Sequence, residues 1–307
     1  MNKRGYLQIS FAWLFAIVVG AVILFLAIFA ATKLINTEQT TQDAKIGKEI
    51  SILLNPLETS FETGKTTSLT LPVETRIYNK CKTNELFGKQ GILISQKSFG
   101  KWTDTNIEIE FVNKYLFSEN YVEGEKFYLF SKPFDLPFKI TDLIYITSYS
   151  KKYCFINAPE PIKNEILALN QGNFLISDCP DGATRVCFSG GSNCDIEVNY
   201  NMSYVKKDGA TLYFVDDSLM YAAILSDKNI YECEVKRIMQ RAGNIAQLYK
   251  DKASFIARTG CNSNLNEELL TLSNTARNIK SSSELSSIRV LAEDIDDKNS
   301  FEDCKLW

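Results

Sequence analysis

The sequence predicts an α+β protein: an N-terminal transmembrane helix with an amphipathic stalk, a β-rich ectodomain, and a C-terminal antiparallel helical unit. Three observations predict it. An uncharged apolar run opens the chain; short alternating runs broken by Gly, Asn, Asp and Pro fill its middle; apolar residues stepping by three and four close it. The expected segments are 1–8 as a cytoplasmic N-terminus, 9–35 as the membrane helix, 36–63 as the stalk, 64–227 as the β-rich ectodomain and 228–307 as the helical unit. The chain has 307 residues, 45% hydrophobic and 23% charged, enough to bury a core and unlike the composition of a disordered polymer.

From Ile9 to Ala31 about 23 residues pass without a charge. As a helix they span roughly 34 Å, more than the roughly 30 Å hydrocarbon core of a bilayer. A cleaved secretory signal has an apolar region of only about 7–15 residues followed by a small-residue site. Lys3 and Arg4 precede the segment, whereas Lys33 after it is soon followed by Glu38 and Asp43. The positive-inside rule therefore keeps the N-terminus in the cytoplasm, making this a single-pass cell-membrane protein with an extracytoplasmic C-terminal domain. The bilayer is its expected partner. Ala12, Ala16 and Gly20 form a small-residue stripe along which a second copy or another membrane helix could pack. Beyond the membrane, Ile46, Ile50, Leu53, Leu54 and Leu57 keep helical spacing until Pro56 and Gly64 supply a stop.

The strand signals are clearest at Ser68 to Tyr78, Gly91 to Gln96, Asn106 to Val112, Lys139 to Ser148, Lys152 to Asn157, Asn173 to Ser177, Thr184 to Phe188 and Ala210 to Val215. Strand character is expected as far as Leu225, with one short helix inserted at Ile162 to Asn170. In Ile107-Glu108-Ile109-Glu110-Phe111 the alternation puts the apolar residues on one face and both glutamates on the other, a solvated face rather than an acid–base pair.

The final third should hold three helices. Val235, Ile238, Met239, Ala242, Ile245, Ala246, Tyr249, Ala253 and Ile256 mark the first, closed by Gly260. Asn264 and Glu267 read as a capping box for the second, with Leu265, Leu269, Leu272, Ala276 and Ile279 inward. After a break at Ser281 to Ser283, Leu285, Ile288, Leu291 and Ile295 mark the third. Met239 and Tyr249 read as core residues rather than as a ligand box.

All eight cysteines, Cys81, Cys154, Cys179, Cys187, Cys194, Cys233, Cys261 and Cys304, follow the membrane helix. An even number on that side fits disulfides in an oxidising compartment. Cys187 with Cys194, across the turn-forming Gly190-Gly191, is the first pairing expected. Cys261 with Cys304, at one end of an up-down-up helical unit, is the second. No C-x-x-C and no His are present, which argues against zinc.

The absence of His also excludes Ser-His, Cys-His and His-metal chemistry within the chain. A net charge of -3 supplies no basic footprint for nucleic acid. Ser189-Gly-Gly-Ser192 lacks the Lys of a phosphate loop. Asp294, Asp296, Asp297 and Asn299 lack the Gly and terminal Glu of a calcium loop. No catalytic, cofactor or metal residue is therefore assigned. Asn201-Met202-Ser203 is an N-glycosylation sequon, a spacing that also arises by chance.

Lys3-Arg4-Gly5 followed by Gln8-Ile9-Ser10-Phe11 resembles the start of archaeal class III prepilins, although Tyr6 and Leu7 intervene and Ala12 stands where such pilins carry Glu. The resemblance covers about the first 35 residues. It implies a lollipop plan and a pilin-like or pseudopilin-like filament subunit. In general plan the chain is also similar to uncharacterised archaeal-type single-pass membrane proteins, a likeness that implies a structural or interaction role and no activity. An ectoenzyme using carboxylates or a Ser-Lys pair is the reading from a third class.

Overall fold

The computed structural model describes residues 11–58, 66–83, 88–98, 100–176, 178–191, 193–261, 263–302 and 304–307. The chain forms two compact units, Met1–Ile46 and Gly47–Trp307. Lys3, Arg4, Gly5, Gln8 and Gly64 lie outside the described residues, as do the side chains of Ile46, Ile50, Leu53, Leu54 and Leu57.

The helix α1 (Phe11–Glu58) is continuous for 48 residues. Its segment Phe11–Leu34 has a mean hydropathy of 3.0 and is wholly unburied. Thr32, Thr37 and Thr41 fold their hydroxyls back onto carbonyls one turn earlier, at 2.9–3.0 Å, so these three hydroxyls cost the helix no unpaired group. Pro56, expected to end the helix, lies in its last turn instead, and the helix runs unbroken from the apolar segment to Glu58.

The second unit holds two mixed sheets. In the first, β1 (Thr67–Lys82), β2 (Lys89–Ser98), β3 (Lys101–Phe111), β4 (Leu116–Phe117), β5 (Tyr121–Asp135) and β6 (Lys139–Ser148) take the order β3-β2-β1-β5-β6-β4. Among the described residues β4 pairs with β6 in parallel and the other neighbours there are antiparallel. Pro72 sits where the pairing of β1 with β5 slips register, the bulge at which a strand tolerates a residue without an N–H. All of β6 after Lys139 is buried, so this strand is covered on both faces.

The second sheet comprises β7 (Tyr153–Ile156), β8 (Phe174–Leu175), β9 (Thr184–Cys187), β10 (Ile196–Asn199), β11 (Tyr204–Lys207) and β12 (Ala210–Tyr213), ordered β12-β11-β10-β9-β7-β8. The short helix α2 (Glu160–Leu169) carries Pro161 in its first turn and is capped by left-handed Asn170, so it starts two residues before the expected span of Ile162 to Asn170.

Helix α3 (Asp217–Leu225) corrects the expectation of strand up to Leu225. Eight of its nine residues are buried, which erases the amphipathic stripe by which a helix is normally recognised. Helices α4 (Lys228–Ala257), α5 (Asn266–Asn278) and α6 (Leu285–Phe301) follow, with a 3-10 turn at Ser282–Glu284. Gly260, at φ +91°, closes α4 with bonds from Gly260 N to the Ala257 carbonyl and from Cys261 N to the Ile256 carbonyl. The expected capping box is not formed. The N-cap of α5 is Leu265 without a side-chain bond, and the Asn264 N–H goes to Glu302 at 3.4 Å.

One apolar core runs from Tyr115 to Leu306 and joins both sheets with α2 to α6. At its centre Phe130 stacks on Tyr145 at 4.5 Å, and Tyr221 meets both rings edge-on. Val235, Ile238, Met239 and Ala242 of α4 point into it, with Tyr249 against Phe138 and Trp307. Where α4 crosses α5, the Ser273 Oγ donates to the Gly243 carbonyl at 2.7 Å. A Cβ on Gly243 would stand 2.8 Å from the Ser273 carbonyl oxygen. Gly243→Ala, which in an open helix would gain up to about 1 kcal/mol, should here destabilise the protein by about 1–3 kcal/mol. Urea unfolding of the detergent-solubilised chain measures the sign.

Candidate functional site

A cleft of about 480 Å³ opens beside the first sheet, between the β4–β5 connection, the β6–β7 connection and the joint of α3 with α4. Its polar groups come from segments far apart in sequence. Asp227 Oδ2 accepts from the Asn120 N–H at 2.8 Å, tying the helix joint to the start of β5. Lys151 is clasped by Glu119. The Ser148 Oγ donates to the Glu123 carbonyl at 2.6 Å and lies 2.7 Å from the Ser150 Oγ. Among the described residues no contact joins these hydroxyls to a lysine ammonium. The cleft can exchange hydrogen bonds with a polar ligand; a serine nucleophile beside a lysine base is not assembled in it.

Behind the cleft lies Lys207, buried and donating to the Ile224 carbonyl at 3.1 Å. Burial lowers its pKa, while Asp227 and Glu119 pull the other way.

Tyr121 belongs both to this cleft and to an aromatic strip on the outer face of the first sheet. The Arg76 guanidinium stands 4.0 Å over Trp102 and 5.1 Å from the Tyr121 ring, while its Nε meets Glu123 at 2.5 Å. Lys97 stands 5.6 Å from the Trp102 ring centre and pairs with Glu74 at 2.7 Å. Arg76 titrates above its ordinary value, chiefly through its hydrogen bond to Glu123.

Elsewhere one carboxyl group, Asp216, is half-buried and another, Glu234, is fully buried. Asp216 caps α3, accepting from Leu219 N at 2.9 Å and from Ser218 Oγ at 2.6 Å, yet burial pushes it up to about 6. Glu234 sits in the core beside Arg237 at 2.7 Å, and burial outweighs that cation to push it up to about 7. Arg237 also donates to the Lys114 and Val112 carbonyls at 3.0 and 3.1 Å and lies 4.8 Å over the Tyr115 ring. Gly88 makes room for it, since a Cβ there would stand 2.8 Å from the Arg237 Nε.

The disulfides are Cys81–Cys233, Cys154–Cys179, Cys187–Cys194 and Cys261–Cys304. They include both pairs expected from the sequence. Cys81–Cys233 fastens β1 to α4 across 152 residues, whereas Cys187–Cys194 closes a separation of 7.

Other residues singled out in the sequence fall in structural roles. Glu108 and Glu110 flank Lys82 at 2.9 and 2.8 Å, and these lysine bonds hold Glu110 below the ordinary carboxylate range, the reverse of a catalytic acid. The Ile107 side chain lies outside the described residues. Ser189 to Gly191 form a turn with Gly190 at φ +72°, and Ser192 is not described. Asp294 and Asp296 ride on α6, paired to Lys298 at 2.9 Å and to the Trp307 Nε1 at 2.8 Å. Asn299 instead receives the Leu306 N–H at 2.8 Å. Ala12, Ala16 and Gly20 are exposed on α1, with nothing within 4 Å of a Cβ at Gly20. Asn201 is exposed on the turn between β10 and β11.

Sequence reasoning missed Asp216, Lys207, Glu234 and the cleft. Asp216 preceding an apolar run carried a capping signal. Glu234 and Arg237 stood beside the apolar stripe of α4 at a spacing that permits an ion pair. Asn120 and Asp227 lie 107 residues apart and carry no local signal. No protein-family model, curated protein or solved structure matches the chain.

Two predictions follow from these buried groups and bridges. Asp216 and Glu234 titrate higher in the folded state than in the unfolded chain, so each favours folding when protonated. That contribution is complete below their ordinary carboxylate values and is lost as pH rises through about 6 and about 7. The thermal midpoint should therefore decline between about pH 4 and about pH 7, and Glu234→Gln should narrow the decline, read by circular dichroism. On the chain-entropy relation, losing Cys81–Cys233 costs about 5 kcal/mol and losing Cys187–Cys194 about 2 kcal/mol. Paired Cys→Ala variants compared by urea unfolding should reproduce that order.

Proposed function

We propose that the chain is a membrane-anchored structural or interaction protein whose second unit lies outside the cytoplasm and carries no catalytic role. The observation that carries this reading is the segment Phe11–Leu34, which leaves all its apolar side chains uncovered. Moving that area out of water is favourable by about 25 cal/mol per Å², and a helix of this length satisfies its own backbone within lipid. The four disulfides support extracytoplasmic placement, since such bridges persist where thiols are oxidised. The paired cations and aromatic rings around Trp102 and Tyr121, beside the polar cleft, supply a surface of the kind that partners read.

A second reading, a pilin-like filament subunit, draws support from the uninterrupted 48-residue α1, apolar over its first half. Mass measurement of the mature N-terminus separates the two. An intact Met1 to Gly5 segment would eliminate processing by a prepilin peptidase.

For the principal reading, intact cells are treated with a membrane-impermeant maleimide, with and without an impermeant reductant. Labelling should appear only after reduction, and the protein should enter the detergent phase on partition. Thiols found reduced inside the cell, or a chain freely soluble without detergent, would overturn it.

A further inference from the structure

We propose that Asn201 carries an N-linked glycan whose first sugars fold back into the adjoining cleft of about 400 Å³. The inference rests on the extracytoplasmic reading, because the modification is added on that side of a membrane.

Asn201-Met202-Ser203 is the only Asn-x-Ser/Thr sequence in the chain. The fold places it on the four-residue turn joining β10 to β11. Asn199 holds this turn with both ends of its amide: its oxygen accepts from Met202 N at 2.9 Å, and its nitrogen donates to the Tyr204 hydroxyl at 3.2 Å. Asn201 is left exposed at the crest, where a transferred sugar displaces no packed neighbour. In the transfer the Asn201 Nδ2 attacks the anomeric carbon of a lipid-phosphate-linked oligosaccharide. The N–C bond forms, the C–O bond to phosphate breaks, the lipid phosphate departs, and the amide proton passes to a base of the transferase.

Asn201 is itself part of the cleft wall. Asn157, Ser189 and Glu197 also line it, with the half-exposed ring of Tyr200 and the nearly buried Phe188 in the same wall. A sugar has hydroxyls on its rim and an apolar C–H face, and a wall of a few hydrogen-bonding groups among aromatic rings fits both. Tyr200 is 39% exposed and Met202 is 70% exposed, a bare apolar rim beside the acceptor that a tethered sugar would cover. Cys187–Cys194 closes the loop bearing Ser189 and Gly190, so the opposite rim is fixed before any sugar arrives. A covalent tether raises the local sugar concentration to the millimolar range. A cleft too weak to retain a free sugar can therefore hold this one.

The test uses the full chain purified from the membranes of its native host and digested with trypsin without reduction. Cleavage after Arg185 and Lys206 releases one peptide that contains Cys187, Cys194 and Asn201. Its mass should be lower by the two thiol hydrogens and higher by an oligosaccharide; the increment should vanish in Asn201→Gln and Ser203→Ala and persist in Ser203→Thr. A bridged but bare peptide overturns this proposal while leaving the extracytoplasmic reading intact. A bare peptide whose thiols were reduced in the cell overturns both. Seating in the cleft is read by backbone hydrogen exchange, which should quicken severalfold over Phe188 to Gly190 and at Asn157 when Asn201→Gln removes the sugar. Unchanged exchange there, in a protein shown to be glycosylated, overturns the seating.

Discussion

The second unit depends on how α4 is fixed to the first sheet. Cys81–Cys233 ties one turn of α4 to β1, and a turn later Arg237 takes the carbonyls of Val112 and Lys114 where the chain passes from β3 to β4. The buried amides nearby continue the attachment: Gln90 donates to Asn79 at 2.6 Å, and its oxygen accepts from Leu116 N at 3.1 Å. These polar contacts lie inside an apolar body, where a misplaced partner would leave a donor or acceptor stranded. They therefore specify one position of α4 on the sheet. The apolar stripe of α4 then has a defined partner on each side, the aromatic cluster about Phe130 on one and α5 on the other.

The same region holds a buried ion pair with one acceptor left open. Glu234 reaches Arg237 with one carboxylate oxygen, while its Oε1 has no hydrogen-bond partner among the described residues. Breaking such a pair by removing the guanidinium would leave a buried acid without compensation, which is far more damaging than losing an exposed ion pair such as Lys163–Glu160. Conformational specificity is what this arrangement supplies, and the disulfide beside it supplies strength.

Much of this architecture was legible because it is periodic. The stripes of α4, α5 and α6 repeat by three and four, and the residues they named are buried in one core or, for Ile245, Tyr249, Ile256 and Leu291, half-buried against it. The strands β1, β6 and β9 announced themselves by β-branched or alternating runs. Strand β5 did not, because Gly124 and Pro133 interrupt its pattern. Gly124 takes φ +150° with Ser148 Oγ 2.9 Å from where a Cβ would be, and Pro133 lies beyond the last residue of β5 that pairs with β1. Helix α3 was hidden for the opposite reason: burial all round leaves no stripe. The capping box at Asn264 failed because Cys261–Cys304 and the Glu302 contact hold the preceding turn in another conformation. The cleft was invisible because tertiary folding alone brings Glu119, Lys151 and Asp227 together.

The margins of the two sheets bear on how this body can be approached. Strands β4 and β8 are only two residues long, and the Tyr213 N–H of β12 is already taken by Ser282 Oγ at 3.1 Å. The remaining border, β3, presents acidic side chains held down by lysines of β1 and β2. A foreign peptide seeking to lengthen either sheet would meet short runs, an occupied donor or a charged fringe. A partner of this body would therefore be met through side chains and concavities, which would make its binding sensitive to sequence in a way that main-chain pairing is not.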